Sequence, residues 1–261
     1  MKGLEPAIWA ELLKARRSRV FLVTVAIAFF IPVVFAFIML VLKYPDIASR
    51  ARAVAIKASV LGGKADWETY FGFLTQAISA VGLILFGFIV SWVFGREYSD
   101  RTVKDILALP VPRVTVVAAK FIVITLWCAL LSLIIFTAGI AAASPVSLGG
   151  WSWELAFRSF GRSSLCVFLS FFLCPLVAFM ASYGRGYLAP IGYIMGTMML
   201  AQVAGFVGFG SYIPWAVPSL LSGAAGLGSE KITAAGYIIL LLTGAAGYAL
   251  TAYWWRNADQ S

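Results

Sequence analysis

Long uninterrupted runs of apolar residues constrain this chain more than any other feature of its sequence. Several of them exceed the roughly 20 residues that cross the hydrocarbon core of a lipid bilayer. In that core the backbone has no water to bond, so only helices or a closed β-barrel satisfy its polar groups. The runs are continuous and do not alternate in polarity, which favours helices. The sequence therefore predicts an all-α integral membrane protein.

The composition excludes a soluble fold. Of 261 residues, 62% are hydrophobic and 12% are charged, whereas an ordinary soluble domain has about 25% charged residues. A soluble chain of this length forms one or two cores, which cannot bury so much apolar surface. The net charge is +9. Because the basic residues lie in short segments between apolar runs, we expect membrane lipids with anionic headgroups as partners, and no nucleic acid.

The apolar runs predict six transmembrane helices in a single transmembrane domain that covers residues 1–261. The predicted spans are 20–42, 69–94, 114–143, 155–183, 187–209 and 232–255. Six spans place both termini on one side of the membrane. With the N-terminus in the cytoplasm, twelve Lys and Arg residues lie inside and eight lie outside. This excess of basic residues favours cytoplasmic N- and C-termini.

Residues 1–19 are predicted to form an amphipathic elbow helix on the cytoplasmic side. Leu4, Ile8 and Leu12 recur at helical spacing, and the segment ends in basic residues. The acidic and basic side chains, Glu11 among them, are expected mostly away from this apolar stripe. Such a helix lies in the membrane interface with its apolar face in lipid. The alternative is a solvated extension.

Residues 208–228 precede the last span and have an interrupted apolar pattern. Several glycines and two prolines break the segment, so it cannot form one continuous helix. Tyr212 and Trp215 are residue types that favour the level of the headgroups. The pattern predicts a re-entrant or interfacial segment, and the alternative is an ordinary surface loop.

The acidic residues argue against chemistry within the membrane. All eleven Asp and Glu residues lie in a terminus, a connection or the edge of a span, and histidine is absent. Proton- or sodium-coupled transporters usually need ionisable groups in the membrane, and membrane enzymes need converging catalytic side chains. No Gly-x-x-x-x-Gly-Lys-Ser/Thr loop is present to bind ATP. We therefore expect no enzymatic activity, no directly bound cofactor or metal, and another chain as the source of energy.

The segment 95–113 has the most specific pattern in the chain. Six charges fall within 96–105, and each would cost about 2.5–3.5 kcal/mol at the bilayer centre. The segment must therefore lie outside the hydrocarbon. Ser99 or Asp100 can cap a short helix there, and Pro110 can end it. The apolar face of this helix suits either a partner surface or the lipid headgroups.

This segment resembles the connection between the second and third spans of ABC-2-type permeases, the membrane subunits of ATP-binding-cassette exporters. In that family an acidic residue and an Asp-Arg-Thr-like turn precede a short coupling helix, and a Leu-Pro-Val-x-Arg-like exit leads into the third span. The matching positions are Glu97, Asp100, Arg101, Thr102, Leu107, Leu109, Pro110, Val111 and Arg113. The segment 9–19 is similar to the family's elbow helix. In its small size the chain most resembles the permeases for bacitracin or lantibiotic resistance.

The resemblance implies a cytoplasmic coupling helix that docks into a cleft on a separate ATPase subunit, which binds ATP and magnesium. Val103, Ile106 and Leu107 are expected to form the buried contacts with that subunit. The complete set of residues expected to couple to the ATPase is Glu97, Asp100, Arg101, Thr102, Val103, Lys104, Asp105, Ile106, Leu107, Pro110 and Arg113.

We therefore predict the permease subunit of an ATP-driven exporter in a prokaryotic plasma membrane. It would pair with a second copy of itself or with a sister permease. Its substrate would be amphipathic, such as an antimicrobial peptide or a lipid-linked compound. Three alternatives stay open at this point: a permease linked to multicopper-enzyme maturation, a secondary transporter outside the ABC class, and a membrane assembly protein.

Overall fold

A computed structural model of the chain describes residues 3–44, 64–103, 105, 110–223 and 232–257. Over these residues the chain forms α-helices joined by turns and short 3₁₀ helices, with no strand. The α-helices are, in chain order, α1 (Leu4–Arg16), α2 (Arg19–Lys43), α3 (Trp67–Ser99), α4 (Arg113–Ala143), α5 (Trp153–Tyr183), α6 (Leu188–Val207), α7 (Val217–Ser222) and α8 (Ala234–Asn257).

Six of the described helices, α2 to α6 and α8, are long and apolar enough to cross a membrane. The prediction of an all-α membrane protein with six spans is therefore confirmed. In α3, 72% of the most apolar part is buried inside the protein, against 28% in α2 and 17% in α6. The helix that packs most extensively on α3 is α5, which also packs against α8. The centre of the fold is thus α3 with α5, and α6 is peripheral.

The second span is longer than its sequence predicts. Asp66 caps the start of α3 by accepting a 2.9 Å hydrogen bond from the backbone N–H of Thr69. At the other end α3 continues to Ser99, and Asp100 is its C-cap. The stretch 95–99 therefore belongs to α3 and not to the connection. The expectation that Ser99 or Asp100 begins a new helix is wrong, because both residues end the preceding one.

Hydrogen bonds from buried side chains to backbone carbonyls join the spans. The hydroxyl of Tyr70 on α3 donates to the carbonyl of Pro32 on α2 at 3.2 Å and to that of Gly139 on α4 at 2.9 Å. The hydroxyl of Thr251 on α8 donates to the carbonyl of Pro175 on α5 at 3.0 Å. Such bonds hold helices in register where the hydrophobic effect between them is absent.

Glycines let α8 approach the backbone of α5. A Cβ atom at Gly244 would overlap the carbonyl oxygen and ring of Phe172. A Cβ atom at Gly247 would lie 2.6 Å from the backbone nitrogen of Leu176. Both glycines are buried. Small residues at a helix contact favour association in membranes because the two backbones can pack closely.

The segment between α6 and α8 folds back against the spans. It contains 3₁₀ turns at Gly210–Tyr212 and Pro214–Ala216, followed by α7. The guanidinium of Arg162 on α5 donates to the carbonyl of Leu221 through Nε at 2.9 Å and Nη2 at 2.7 Å. Arg162 therefore anchors this segment to α5. Residues 224–231, which include the end of the predicted segment 208–228, lie outside the described residues.

Candidate functional site

A buried cation lies where α1, the C-terminal end of α3 and the N-terminal end of α4 meet. The side chain of Lys120 on α4 is 0% exposed. Its ammonium is 2.8 Å from Oε1 of Glu97 on α3 and 3.1 Å from Oε2 of Glu11 on α1. It also donates to the carbonyl of Val93 at 3.2 Å. Lys120 therefore has an acceptor for each of its three hydrogens.

A second lysine completes the cluster. The ammonium of Lys14 on α1 lies 2.8 Å from Oε1 of Glu11 and 2.9 Å from Oε1 of Glu97. We call Glu11, Lys14, Glu97 and Lys120 the ion-pair network. Burial lowers the pKa of Lys14, but the carboxylates of Glu11 and Glu97 outweigh that effect and raise the pKa above its usual value. Lys14 is therefore protonated at neutral pH.

The network is attached to the connection that follows α3. The hydroxyl of Thr102 donates to Oε2 of Glu97 at 2.7 Å, and the backbone N–H of Thr102 donates to the carbonyl of Glu97 at 2.9 Å. The intervening Arg101 has a φ of 58°, a left-handed conformation that L-residues adopt at some cost. The chain therefore turns sharply after α3, and Thr102 is held against the carboxylate of Glu97.

The other end of the connection is attached to the last span. Arg113, the first residue of α4, donates from Nη1 to the carbonyls of Trp255 at 3.4 Å and Arg256 at 3.3 Å. These carbonyls lie in the last turn of α8, where a cation is favoured by the helix dipole. The indole of Trp255 is fully buried and donates to the hydroxyl of Ser182 on α5 at 2.9 Å. Arg113 thus links the start of α4 to a firmly packed helix end.

Of the described residues expected to couple to an ATPase, five are exposed, Thr102 is half-buried, and Glu97 and Val103 are buried. Asp105, Pro110 and Arg113 are exposed, as are Asp100 and Arg101. Asp100 forms a surface ion pair with Arg96 at 3.0 Å, one turn away on α3.

Val103 is only 5% exposed. Its side chain is therefore packed within this chain and is not available to a partner in this structure. Lys104, Ile106 and Leu107 lie outside the described residues, so their expected role stays a prediction.

Three members of the ion-pair network are not among the residues that the sequence pattern indicated. The sequence pattern places Glu11 mostly away from an apolar stripe that faces lipid, whereas in the structure Glu11 is buried, at 7% exposed. Lys14 lies on the predicted elbow helix and Lys120 in the third apolar run, and in the sequence both contribute to the excess of basic residues that orients the chain. The sequence did contain a signal for Lys120, because a lysine inside an apolar run needs an acidic partner.

The described residues include no group of three His, Cys, Asp or Glu side chains that could hold a metal ion. The three cysteines, Cys128, Cys166 and Cys174, are free and buried. They pack as small apolar residues. The site thus consists of ion pairs and hydrogen bonds between helices and a connection.

Comparison with known proteins gives two matches of interest. The family described as "ABC-2 family transporter protein" matches residues 7–208. Over 217 residues the chain is 22% identical to the bacitracin transport permease protein BCRB of Bacillus licheniformis, and the alignment covers 83% of this chain and 97% of the relative. No solved structure matches the chain.

Proposed function

The chain belongs to the ABC-2 family of transporter proteins and is an ABC transporter membrane subunit, and on that premise we propose that it works in an ATP-driven exporter. Its expected place is a prokaryotic plasma membrane, with both termini in the cytoplasm. A cytoplasmic ATPase subunit would bind ATP and magnesium and dock on the connection between α3 and α4. A second copy of the chain, or a sister permease, would complete the membrane unit.

The observation that carries this proposal is the position of Glu97. One carboxylate oxygen of Glu97 accepts from Thr102 on the connection, and the other is paired with Lys120 on α4 and Lys14 on α1. A force on the connection would therefore reach three helices through one side chain. Interfaces with discrete hydrogen-bonded arrangements transmit such movements as rigid-body shifts.

Arg113 links the other end of the connection to a helix in the same way. Its bonds to the carbonyls of Trp255 and Arg256 join the exit of the connection to α8. Movement of the connection would thus act on the second and third spans at one end and on the sixth span at the other. This arrangement supports the proposed role of residues 100–113 as the segment that an ATPase moves.

A cavity of about 130 Å³ supports the proposal of an amphipathic substrate. It lies among α3, α6 and the segment 208–223 that follows α6. Its lining combines apolar side chains with the polar groups of Ser79, Gln202 and Ser219. Gln202 lies on the exposed side of α6, where contact with lipid alone would leave its amide without partners. A cavity of this size and mixed polarity can take one side chain or another small part of an amphipathic molecule, and the likeness to a bacitracin permease favours a peptide.

The proposal is tested with the chain purified together with its ATPase and reconstituted in lipid nanodiscs. We expect ATP hydrolysis that rises when the matching substrate is added from a panel of antimicrobial peptides and lipid-linked compounds. Ile106→Asp or Leu107→Asp places a charge on the expected docking face and is expected to reduce substrate-stimulated hydrolysis at least about tenfold. Thr137→Val, at an exposed position of α4, is the matched control and is expected to leave hydrolysis unchanged.

Two results would contradict the proposal. One is gradient-driven transport by the purified chain without any ATPase, which indicates a secondary transporter. The other is a complex whose ATP hydrolysis is the same with Ile106→Asp, Leu107→Asp and Thr137→Val, which indicates that the connection carries no coupling.

A further inference from the structure

A basic cavity lies beside the ion-pair network, among the end of α1, the start of α2 and the C-terminal end of α3. Its volume is about 480 Å³, and its lining includes Lys14, Arg17, Arg19 and Arg96. Among the described residues of the lining, Asp100 is the single carboxylate, and the cavity is open to the surroundings. Within this described part, four cations share the cavity wall with one acidic side chain.

Two of the four cations are already neutralised. Lys14 is paired with the carboxylates of the ion-pair network, and Arg96 is paired with Asp100 at 3.0 Å. Arg17 and Arg19 are exposed residues, and neither forms a salt bridge or hydrogen bond within the part of the chain that the structure describes. The cavity thus has an excess of two positive charges, which favours an anion.

The backbone beside these arginines also favours an anion. Ser18 is the N-cap of α2, and the first turn of α2 contains no acidic residue. The positive end of the helix dipole is therefore not offset by a carboxylate of its own helix. The dipole adds to the charges of Arg17 and Arg19 on the same side of the cavity.

The rest of the cavity is apolar. Leu13, Val20 and Trp92 are part of its lining. Immediately beyond it on α2, Leu22 is 66% exposed and Val23 is 54% exposed. Because α2 and α3 are spans, the cavity lies where the membrane begins. An anionic group bound there is next to a surface on which an acyl chain can lie.

We propose that this cavity binds the phosphate ester of an anionic membrane lipid headgroup. The adjoining apolar surface favours a lipid over a soluble phosphate, and the two unpaired arginines favour a net negative headgroup over zwitterionic choline. Because Lys14 belongs both to the cavity and to the ion-pair network, a bound lipid stabilises α1 against α3. The proposal concerns the chain by itself and does not depend on the ATPase.

The test compares two double variants that each remove two positive charges from the full-length chain. Arg17→Gln with Arg19→Gln alters the cavity. Arg16→Gln with Arg256→Gln alters two exposed arginines that do not line it. Each purified protein is titrated with phosphatidylglycerol in phosphatidylcholine-containing detergent micelles, and the midpoint of thermal unfolding is measured at every step.

We expect phosphatidylglycerol to raise the unfolding midpoint in a saturable manner for the unaltered chain and for the Arg16/Arg256 control. For the Arg17/Arg19 variant, the amount of phosphatidylglycerol that gives half of the rise should be about 30-fold higher. The proposal is overturned if all three proteins need a similar amount of phosphatidylglycerol for half of the rise. It is also overturned if only the Arg16/Arg256 control needs more.

A further arm replaces the lipid with inorganic phosphate or glycerol phosphate at matched ionic strength. Neither is expected to raise the midpoint, and a rise equal to that with phosphatidylglycerol overturns the assignment to a lipid. Native mass spectrometry of the unaltered chain gives an independent readout that needs no variant. Preferential retention of one phosphatidylglycerol over phosphatidylcholine supports the proposal, and equal retention of both contradicts it.

Discussion

Lys120 is a fully buried cation whose position in the membrane protein depends on its partners. Moving an ammonium away from water costs several kcal/mol in a real protein. At Lys120 this cost is offset by Glu97 at 2.8 Å, Glu11 at 3.1 Å and the carbonyl of Val93 at 3.2 Å. The same contacts fasten α4 to α1 and α3. The lysine therefore determines how three helix ends are arranged.

Replacing this lysine is expected to destabilise the fold. Lys120→Met keeps the length of the side chain but leaves Glu11 and Glu97 to share Lys14. Removing one partner of a buried ion pair costs about 3–5 kcal/mol, and this loss is measurable by denaturant unfolding in micelles. The matched control is Arg96→Met, which breaks a surface pair worth about 0–1 kcal/mol. Equal stability of the two variants would contradict the buried role of Lys120.

A double variant separates pairing from packing. Glu97→Gln with Lys120→Met removes one negative and one positive charge, so that Glu11 remains paired with Lys14. We measure the loss in the free energy of unfolding for Glu97→Gln, for Lys120→Met and for the double variant. The sum of the two single-variant losses should exceed the loss of the double variant by at least about 1 kcal/mol, as for residues in direct contact. Additive losses would indicate that Lys120 and Glu97 stabilise the protein independently.

Sequence alone indicated Glu97 but not its partners, and the reason is physical. Glu97 belongs to the charged segment 95–113, whose pattern is formed by residues close together in the sequence. Its contacts with Glu11 and Lys120 exist only because α1 and α4 meet the end of α3. Nothing in the spacing of residues 11, 97 and 120 predicts that meeting. Pairings between distant segments depend on the packing of whole helices, which a single sequence does not display.

At the scale of elements, the spans were predictable because each one is a local property. An apolar run long enough to cross the bilayer forms a helix regardless of its neighbours. The end of α3 was not predictable in this way. Its last turn is charged, and it remains helical because Glu97 is paired with Lys14 on α1 and Lys120 on α4. Tertiary contacts thus extend a helix beyond its apolar run.

The contact between α5 and α8 gives an element-scale prediction. Gly247→Ala places a methyl group against the backbone of Leu176 and Pro175, and the two helices must separate. Overpacking of this kind typically costs about 1–3 kcal/mol, which we expect as a lower midpoint of thermal unfolding.

A second glycine supplies the control for that variant. Gly196→Ala in α6 adds the same methyl group where, apart from its chain neighbours and its own helix backbone, no atom lies within 4 Å. Because alanine favours helix more than glycine does, this change should leave the midpoint unaltered or raise it slightly. A similar decrease at both positions would show that the close approach at Gly247 has no energetic role.

The whole molecule presents different surfaces at its two ends. One end contains the ion-pair network, the basic cavity and the proposed docking segment. At the other end Lys43 donates to the carbonyls of Val146 and Ser147 at 2.7 Å each. There the rings of Trp67 and Trp151 are 4.7 Å apart. The proposed orientation assigns the first end to the cytoplasm.

That orientation is tested with single cysteines at exposed positions. Asp105→Cys lies on the proposed docking segment, and Glu154→Cys lies in the first turn of α5 at the other end. The native cysteines are buried and should react little. A membrane-impermeant thiol reagent applied to intact cells is expected to label Glu154→Cys, and to label Asp105→Cys only after permeabilisation. The reverse pattern would place the docking segment outside the cell and contradict the proposed coupling.

The composition of the ion-pair network has an electrical consequence. Two carboxylates and two ammonium groups have a combined formal charge of zero, and they are held together by contacts of 2.8–3.1 Å. A membrane potential does work of about 2.3 kcal/mol per 100 mV only on a charge that crosses the field. If these four side chains shift together towards or away from the bilayer, the membrane potential does no net work on them. The cell's resting potential then neither assists nor opposes that movement.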